Sequence, residues 1–261
     1  METRKMVGTK PMPFGELVRS GTTYGTFVGL GSTVAAEVCA LAGFDWLLFD
    51  LEHGAGNERD LIGQIAVARR HGVGTAVRVE TPTRIRCGRV LDLGVEAVMA
   101  PRLDSAEEAA AFVSHLRYPP QGDRGVATYH SAAAFGLDPG YLGRANDAVV
   151  AIVQIETQPA LSDVERIART PGVDVLFVGP RDLAAALGTT PSLDAPDFAA
   201  ALRRVVSACR GAGIGAGVLA GDAASAARYV QMGFAFVGIG SDSAFIAQGG
   251  RQAIRAAKAL T

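Results

Sequence analysis

Two carboxylates and an imidazole close an apolar run in the stretch Asp45-Trp46-Leu47-Leu48-Phe49-Asp50-Leu51-Glu52-His53-Gly54. A buried parallel strand reads as a short continuous apolar segment. Charges gathered at its end do not build a core; they point to a site at the mouth of an α/β sheet. His53 is the only histidine expected at a strand end. An imidazole flanked by acids suits a general base, or a structural hydrogen bond beside Glu52. Arg78 sits inside Ala76-Val77-Arg78-Val79. A buried guanidinium needs an anion: a structural acid such as Asp50, or a substrate carboxylate or enolate. Glu156 and Asp182 each stand where an apolar run leaves the core. Two carboxylates with open positions suit a hard cation, Mg²⁺ or Mn²⁺ first, with Co²⁺, Ni²⁺ or Zn²⁺ as other candidates. Alternatively, Asp182 caps a following helix. A metal, an arginine and a neutral imidazole together would polarise a 2-oxo acid, hold its oxyanion and move a hydroxyl proton. That is enolate chemistry of the pyruvate type.

These residues must be positioned by strands and helices in alternation. Strands are expected at Tyr24–Leu30, Trp46–Asp50, Thr75–Val79, Ala97–Ala100, Val149–Ile155, Val175–Val178, Ile214–Val218 and Phe234–Ile239. Residues 1–20 read as a lead-in with a short helix over Phe14–Arg19. Helices are expected to about Ala42 and over Arg59–Arg70, with Leu61, Ile62, Ile65 and Ala66 on one face. Others are expected over Thr83–Leu93, Ser105–Leu116, Gln158–Arg169, from Asp197 as cap through Cys209, over Asp222–Met232 and over Ser243–Ala259. Apolar rather than alternating strands imply burial on both faces. The pattern specifies α/β class, a (β/α)₈ TIM barrel forming one domain over 1–261. A doubly wound open sheet is the runner-up, weakened by the lack of G-x-G-x-x-G after the first strand. Residues 117–147, between strands 4 and 5, break the period with several Gly and Pro, as functional loops do. His130 in that loop could border the pocket. His71 and His115 read as surface residues at helix ends.

Composition narrows the partners. A net charge of −1 with no basic stripe speaks against nucleic acid. No apolar run reaches membrane-spanning length and no signal peptide is visible, so a cytoplasmic protein is the default. Cys39, Cys87 and Cys209 are too scattered for a disulfide framework or zinc site and read as buried hydrophobes. No lysine lies between Lys10 and Lys258, which excludes a Schiff-base lysine on the strands.

Four stretches carry a family resemblance: residues 42–54 (AGFDWLLFDLEHG), 117–127 (RYPPQGDRGVA), 153–157 (VQIET) and 176–188, ending in GPRDLAAALG. The chain resembles the HpcH/HpaI family of metal-dependent pyruvate aldolases over about Thr26 to Ala257. That family includes 4-hydroxy-2-oxoheptanedioate and 2-dehydro-3-deoxyglucarate aldolases. The resemblance implies retro-aldol cleavage of a 4-hydroxy-2-oxo acid to pyruvate and an aldehyde, or the reverse addition, through a metal-bound pyruvate enolate. It makes His53 the base acting on the 4-hydroxyl and Asp92 its orienting partner, across a subunit boundary. It makes Arg78 a contact to the keto acid, and Glu156 and Asp182 the metal ligands. Asp50, Gln154 and the turn Gly179-Pro180-Arg181-Asp182 would support or contact substrate, the N–H groups of Arg181 and Asp182 binding its carboxylate. It implies a homohexamer, a trimer of dimers with a terminal helix exchanged. Departures lie at Leu51, Gly54-Ala55-Gly56, Arg181, Glu80 and Arg102, around the aldehyde half of the pocket. The same enolate could serve an oxaloacetate decarboxylase or a citramalyl- or malyl-CoA-type lyase, although no basic cluster for CoA is evident. A non-catalytic keto-acid-binding barrel is the remaining alternative.

Overall fold

The structure is a computed structural model that describes residues 12–260. Most of the expected lead-in, residues 1–11, lies outside the described residues, as does Thr261. Eight parallel strands close a barrel in sequence order. They are β1 (Thr23–Val28), β2 (Trp46–Asp50), β3 (Gly74–Arg78), β4 (Ala97–Ala100), β5 (Val150–Ile155), β6 (Val175–Val178), β7 (Gly215–Ala220) and β8 (Phe236–Ser241). Around them lie α1 (Phe14–Arg19), α2 (Thr33–Leu41), α3 (Glu58–Arg70), α4 (Arg84–Asp92), α5 (Ala106–Leu116), α6 (Tyr141–Ala148), α7 (Gln158–Ser162), α8 (Val164–Ala168), α9 (Pro180–Ala186), α10 (Pro196–Ala212), α11 (Ala223–Met232) and α12 (Asp242–Lys258). All eight expected strands are present, their ends shifted by a residue or two.

Alternation along each strand decides what the site receives. Successive strand residues point to opposite faces. Trp46 and Leu48 of β2, Ala76 of β3, Val150 and Ile152 of β5, and Val175 and Phe177 of β6 pack together inside the barrel. Leu47, Phe49, Val77, Ala151, Val153 and Leu176 face the helices instead. Continuing the inward set in steps of two residues gives Asp50, Arg78, Gln154, Glu156 and Gly179. All five therefore rise from the barrel interior at its C-terminal mouth. Asp50 and Arg78 are direct partners in the β2–β3 register. The opposite end is plugged by α1, whose Phe14, Leu17 and Val18 join the interior cluster. Trp46 stacks on Phe236 with ring centroids 4.0 Å apart.

Several helices differ from expectation for identifiable reasons. On α3 the buried stripe is Leu61, Gln64, Ile65 and Ala68, whereas Ile62 and Ala66 are exposed. The stripe keeps helical spacing, but the polar Gln64 within it disguised the face. The expected helix 158–169 is broken into α7 and α8 at Asp163, whose carboxylate instead accepts the Ala106 N–H at the start of α5. Asp197 does not cap α10: Ala195 holds that position and Pro196 opens the helix, leaving Asp197 in the first turn, where it favours the positive end of the dipole. His71 and His115 are not free surface groups; they bond Glu37 and Asp123 at 3.1 and 2.9 Å. The three cysteines are buried and free, and burial pushes their thiols up to about 11 or 12.

The segment 117–147 is neither unstructured nor near the mouth. It holds a 3₁₀ turn over Ser131–Gly136 and then α6. It joins the end of α5 to the start of β5, so it runs across the N-terminal face of the barrel. His130 therefore cannot border the pocket of its own chain. Its Nε2 faces the Ala127 carbonyl at 2.9 Å and its Nδ1 accepts the Ala133 N–H, capping the 3₁₀ turn. No helix among the described residues is long and apolar enough to cross a membrane.

Candidate active site

At the mouth, Asp50 organises the residues that follow it. One of its oxygens accepts the backbone N–H groups of Glu52 and His53 at 3.1 and 3.3 Å, folding the chain back as short acidic side chains do in turns. Its carboxylate also takes a two-pronged bond from Arg78, Nε to Oδ1 at 2.9 Å and Nη2 to Oδ2 at 2.7 Å. Glu52 adds an ion pair to Arg78 Nη1 at 3.0 Å. Of the anions open to Arg78 from the sequence, the chain supplies Asp50 and also Glu52. Burial alone would lower the Arg78 guanidinium. The bonds to Asp50 and the charges of Glu52 and Glu156 outweigh it and hold the group above the ordinary arginine value. Two guanidinium N–H donors remain uncommitted to these acids.

Gly54 lets this turn close. A Cβ there would lie 2.1 Å from the Asp50 carbonyl oxygen and 2.9 Å from that of Gly29. His53, one residue earlier, has a side chain 71% exposed at the mouth. Its Nε2 is 3.8 Å from Glu52, beyond hydrogen-bond reach.

Glu156, Asp182 and Gln154 converge on Gly179. A Cβ on Gly179 would stand 2.8 Å from Gln154 Nε2, 3.1 Å from Glu156 Oε2 and 3.6 Å from Asp182 Oδ2. Gly179, not Asp182, occupies the cap position of α9; Pro180 is the first helical residue and Asp182 lies in the first turn. Burial, then the charges of Asp182 and Glu52, push the Glu156 carboxyl up to about 7, against smaller lowering by the Arg102 N–H and Arg78. Arg102 donates that backbone bond at 3.0 Å from a left-handed conformation, φ 52°. A non-glycine residue there carries strain of order 1 kcal/mol. Nothing in the sequence signals this contact, because any residue but proline can donate it. Gln154 gives its amide N–H to Glu156, and its carbonyl oxygen is buried with no partner among the described residues.

This arrangement fits a divalent cation. Two carboxylates are held close enough for repulsion to favour protonation of one, a cost that a cation removes. The orphaned Gln154 oxygen is an acceptor for a water or hydroxyl beside them. Among the described residues no three His, Cys, Asp or Glu side chains form a closed metal cage. Gly179→Ala should keep the fold, since its φ of −90° suits alanine. The new methyl should push the carboxylates apart and weaken Mn²⁺ binding at least tenfold, as read by calorimetric titration.

Asp92 is not brought to His53. It ends α4, on the N-terminal face of the barrel, and its Oδ1 is 2.7 Å from Arg124 Nη2. Within one chain the expected pair does not form.

Residues 23–248 match the family described as HpcH/HpaI aldolase/citrate lyase. The chain is 41% identical over 253 residues to the hydroxypyruvate/pyruvate aldolase of Paraburkholderia phytofirmans, covering 95% of this chain and 97% of that one. It is 39% identical over 218 residues to a 5-keto-4-deoxy-D-glucarate aldolase of Klebsiella pneumoniae, covering 84% and 85%. The crystal structure of an HpcH/HpaI aldolase/citrate lyase family protein from Burkholderia cenocepacia superposes with a TM-score of 0.89 at 39% identity, covering 94% of this chain and 98% of that one. With the matched region spanning the closed barrel and every residue of its acidic mouth, the chain belongs to the HpcH/HpaI aldolase/citrate lyase family, and is a carbon–carbon lyase.

Proposed function

We propose that the protein cleaves a 4-hydroxy-2-oxo acid to pyruvate and an aldehyde, and runs the reverse addition, with a divalent cation held by Glu156 and Asp182. The observation that carries this reading is the convergence of those carboxylates and Gln154 on Gly179, facing Arg78 across the mouth. The relatives named as aldolases of hydroxypyruvate/pyruvate and 5-keto-4-deoxy-D-glucarate support it. Mg²⁺ or Mn²⁺ suits an all-oxygen donor set best.

The cation, when bound, supplies Lewis-acid polarisation of the 2-oxo group. The chain's residues do the rest. The N–H groups of Arg181 and Asp182, at the start of α9, bind the substrate carboxylate. Arg78 directs its two remaining N–H donors to the C2 oxygen, where negative charge develops. Asp50 and Glu52 fix the plane of that guanidinium. His53 takes the proton of the 4-hydroxyl. The C3–C4 bond then breaks, its electron pair passing into the pyruvate enolate as the aldehyde leaves. Protonation at C3 gives pyruvate.

An imidazole 71% exposed needs a fixed partner to be an oriented base. Asp92 supplies it from a neighbouring subunit, acting on His53 of the partner subunit. Two features support assembly. On α12 only Asp242 is buried, while Ile246 and Ile254 are 65% and 54% exposed, an apolar face left open among the described residues. Tyr129, Phe135 and Leu137 are likewise exposed on the connection beside Asp92. The proposed assembly is a hexamer with α12 exchanged between neighbours. Ile246→Asp combined with Ile254→Asp should reduce its mass in multi-angle light scattering; an unchanged mass would remove α12 from the interface.

A coupled assay of pyruvate release over a panel of 4-hydroxy-2-oxo acids tests the activity. Release from at least one of them is expected, and none from any would overturn the reading.

A further inference from the structure

Arg124 is 3% exposed, yet the acid it serves, Asp92, has a side chain 34% exposed. That asymmetry is costly. A buried guanidinium loses its hydration, and a single partly solvated carboxylate returns little of it. The bonding is also incomplete. Arg124 Nη2 reaches Asp92 Oδ1 at 2.7 Å and the Tyr141 hydroxyl at 3.2 Å, but its buried Nε has no partner among the described residues. Asp92 in turn closes α4, where the helix dipole disfavours an anion. Neither residue is placed where stability alone would put it.

The surrounding frame holds this pair still. The guanidinium lies over the Tyr118 ring, 4.4 Å from its centroid. Tyr118 is clamped by Asn146 of α6, which accepts its N–H at 2.7 Å and donates to its carbonyl at 3.0 Å. The backbone of Arg124 is tied to Arg117, and that of Asp123 to Ser114, both near the end of α5. Tyr141, also of α6, accepts from the same Nη2 that bonds Asp92. His130 adds little to Asp92: at 3.4 Å its Nε2 is turned to the Ala127 carbonyl. The outcome is a carboxylate with Oδ1 committed inward and Oδ2 without a hydrogen-bond partner among the described residues.

We infer that Arg124 is a positioning residue for the aldol step, holding Asp92 with one carboxylate oxygen directed out of its own chain toward His53 of the partner subunit. The inference rests on the proposed function and deepens it. Arg124 touches no substrate and acts only through Asp92. The connection 117–147 thereby acquires a function at a mouth other than that of its own barrel.

Two reactions of one enolate site separate this role from a structural one. Cleavage of a 4-hydroxy-2-oxo acid needs the oriented base, whereas decarboxylation of oxaloacetate has no 4-hydroxyl proton to remove. Arg124→Met should lower kcat for cleavage about 100-fold, the scale expected for a misplaced catalytic group, and leave KM and decarboxylation within about threefold. Arg124→Lys, keeping the charge but losing the planar fork, should recover about tenfold of that loss. Asp92→Asn combined with Arg124→Met should be no slower than Asp92→Asn alone, because both remove one unit. Should Arg124→Met fail to fold, Arg124→Lys alone decides, by slowing cleavage and sparing decarboxylation. Cleavage unchanged in both Arg124 variants, additive losses in the double variant, or a parallel fall of both reactions would overturn the inference. In the first of these cases the wild-type cleavage itself leaves the functional reading standing. Absence of both reactions in the wild type would remove the two together.

Discussion

Glu156→Gln is expected to abolish pyruvate release, by about 10³-fold or more, together with oxaloacetate decarboxylation. The substitution keeps the shape of the protonated acid but removes one of the two anionic anchors proposed for the cation, and with it the largest source of charge stabilisation proposed at the C2 oxygen. It should not unfold the protein. The Glu156 carboxyl is pushed up to about 7 from an ordinary 4.5 by burial, Asp182 and Glu52. A raised acid binds its proton more tightly in the folded state than in the unfolded one. Its contribution to stability is therefore fully present below about pH 4.5 and is lost as pH rises through about 7. In chelator, the wild-type Tm should fall across that window by more than that of Glu156→Gln. Added Mn²⁺ should restore the wild type and leave the variant unmoved. Because proton and cation compete for the same oxygens, Mn²⁺ affinity should also weaken below about pH 7. Calorimetry at pH 6 and pH 8 measures this directly. Equal affinities would mean that Glu156 is not a ligand.

His53→Ala is expected to cut aldol cleavage by about 10² to 10⁴-fold, the range for loss of a positioned general base, while oxaloacetate decarboxylation stays within a few-fold. The side chain stands clear of the core, so stability should barely change. Arg78, Glu156 and Asp182 keep their geometry without it. Equal losses in both reactions would instead assign His53 to the handling of the enolate. Unchanged cleavage would remove it from the mechanism.

The residues behind these expectations were unevenly legible in the sequence. The closed barrel followed from eight apolar runs, which put Asp50, Arg78, Gln154 and Glu156 at or near strand ends; their inward direction came with the packing of the strands. Asp182 was open between cap and ligand; the structure gives the cap position to Gly179 and puts Asp182 in the first turn of α9. The face of α3 was misjudged because one buried glutamine interrupts an apolar stripe. The break at Asp163 depends on a bond to a residue far along the chain, Ala106, which local propensity does not encode. The connection 117–147 was recognised as unusual, but its side of the barrel was not. The order of helix and strand could have shown it, since a segment between a helix end and the next strand start lies opposite the mouth. Placing Asp92 at the end of α4 carries the same message. Two further contacts left no signature: the backbone donation from Arg102, and the burial of Arg124 beneath Asp92.

Arg102, Arg181 and Gly54 read from the sequence as departures around the pocket mouth, while Gln154, Glu156 and Asp182, proposed to handle pyruvate, lie within the stretches that carry the resemblance. The central claim is that the Glu156–Asp182 pair makes pyruvate an enolate through a divalent cation. Exchange of the C3 protons of pyruvate for deuterium in D₂O, followed by NMR, tests this without knowledge of the aldehyde. The account predicts exchange with Mg²⁺ or Mn²⁺, its loss in chelator, its return on adding metal, and its absence in Glu156→Gln. Exchange that proceeds at full rate in chelator would contradict it.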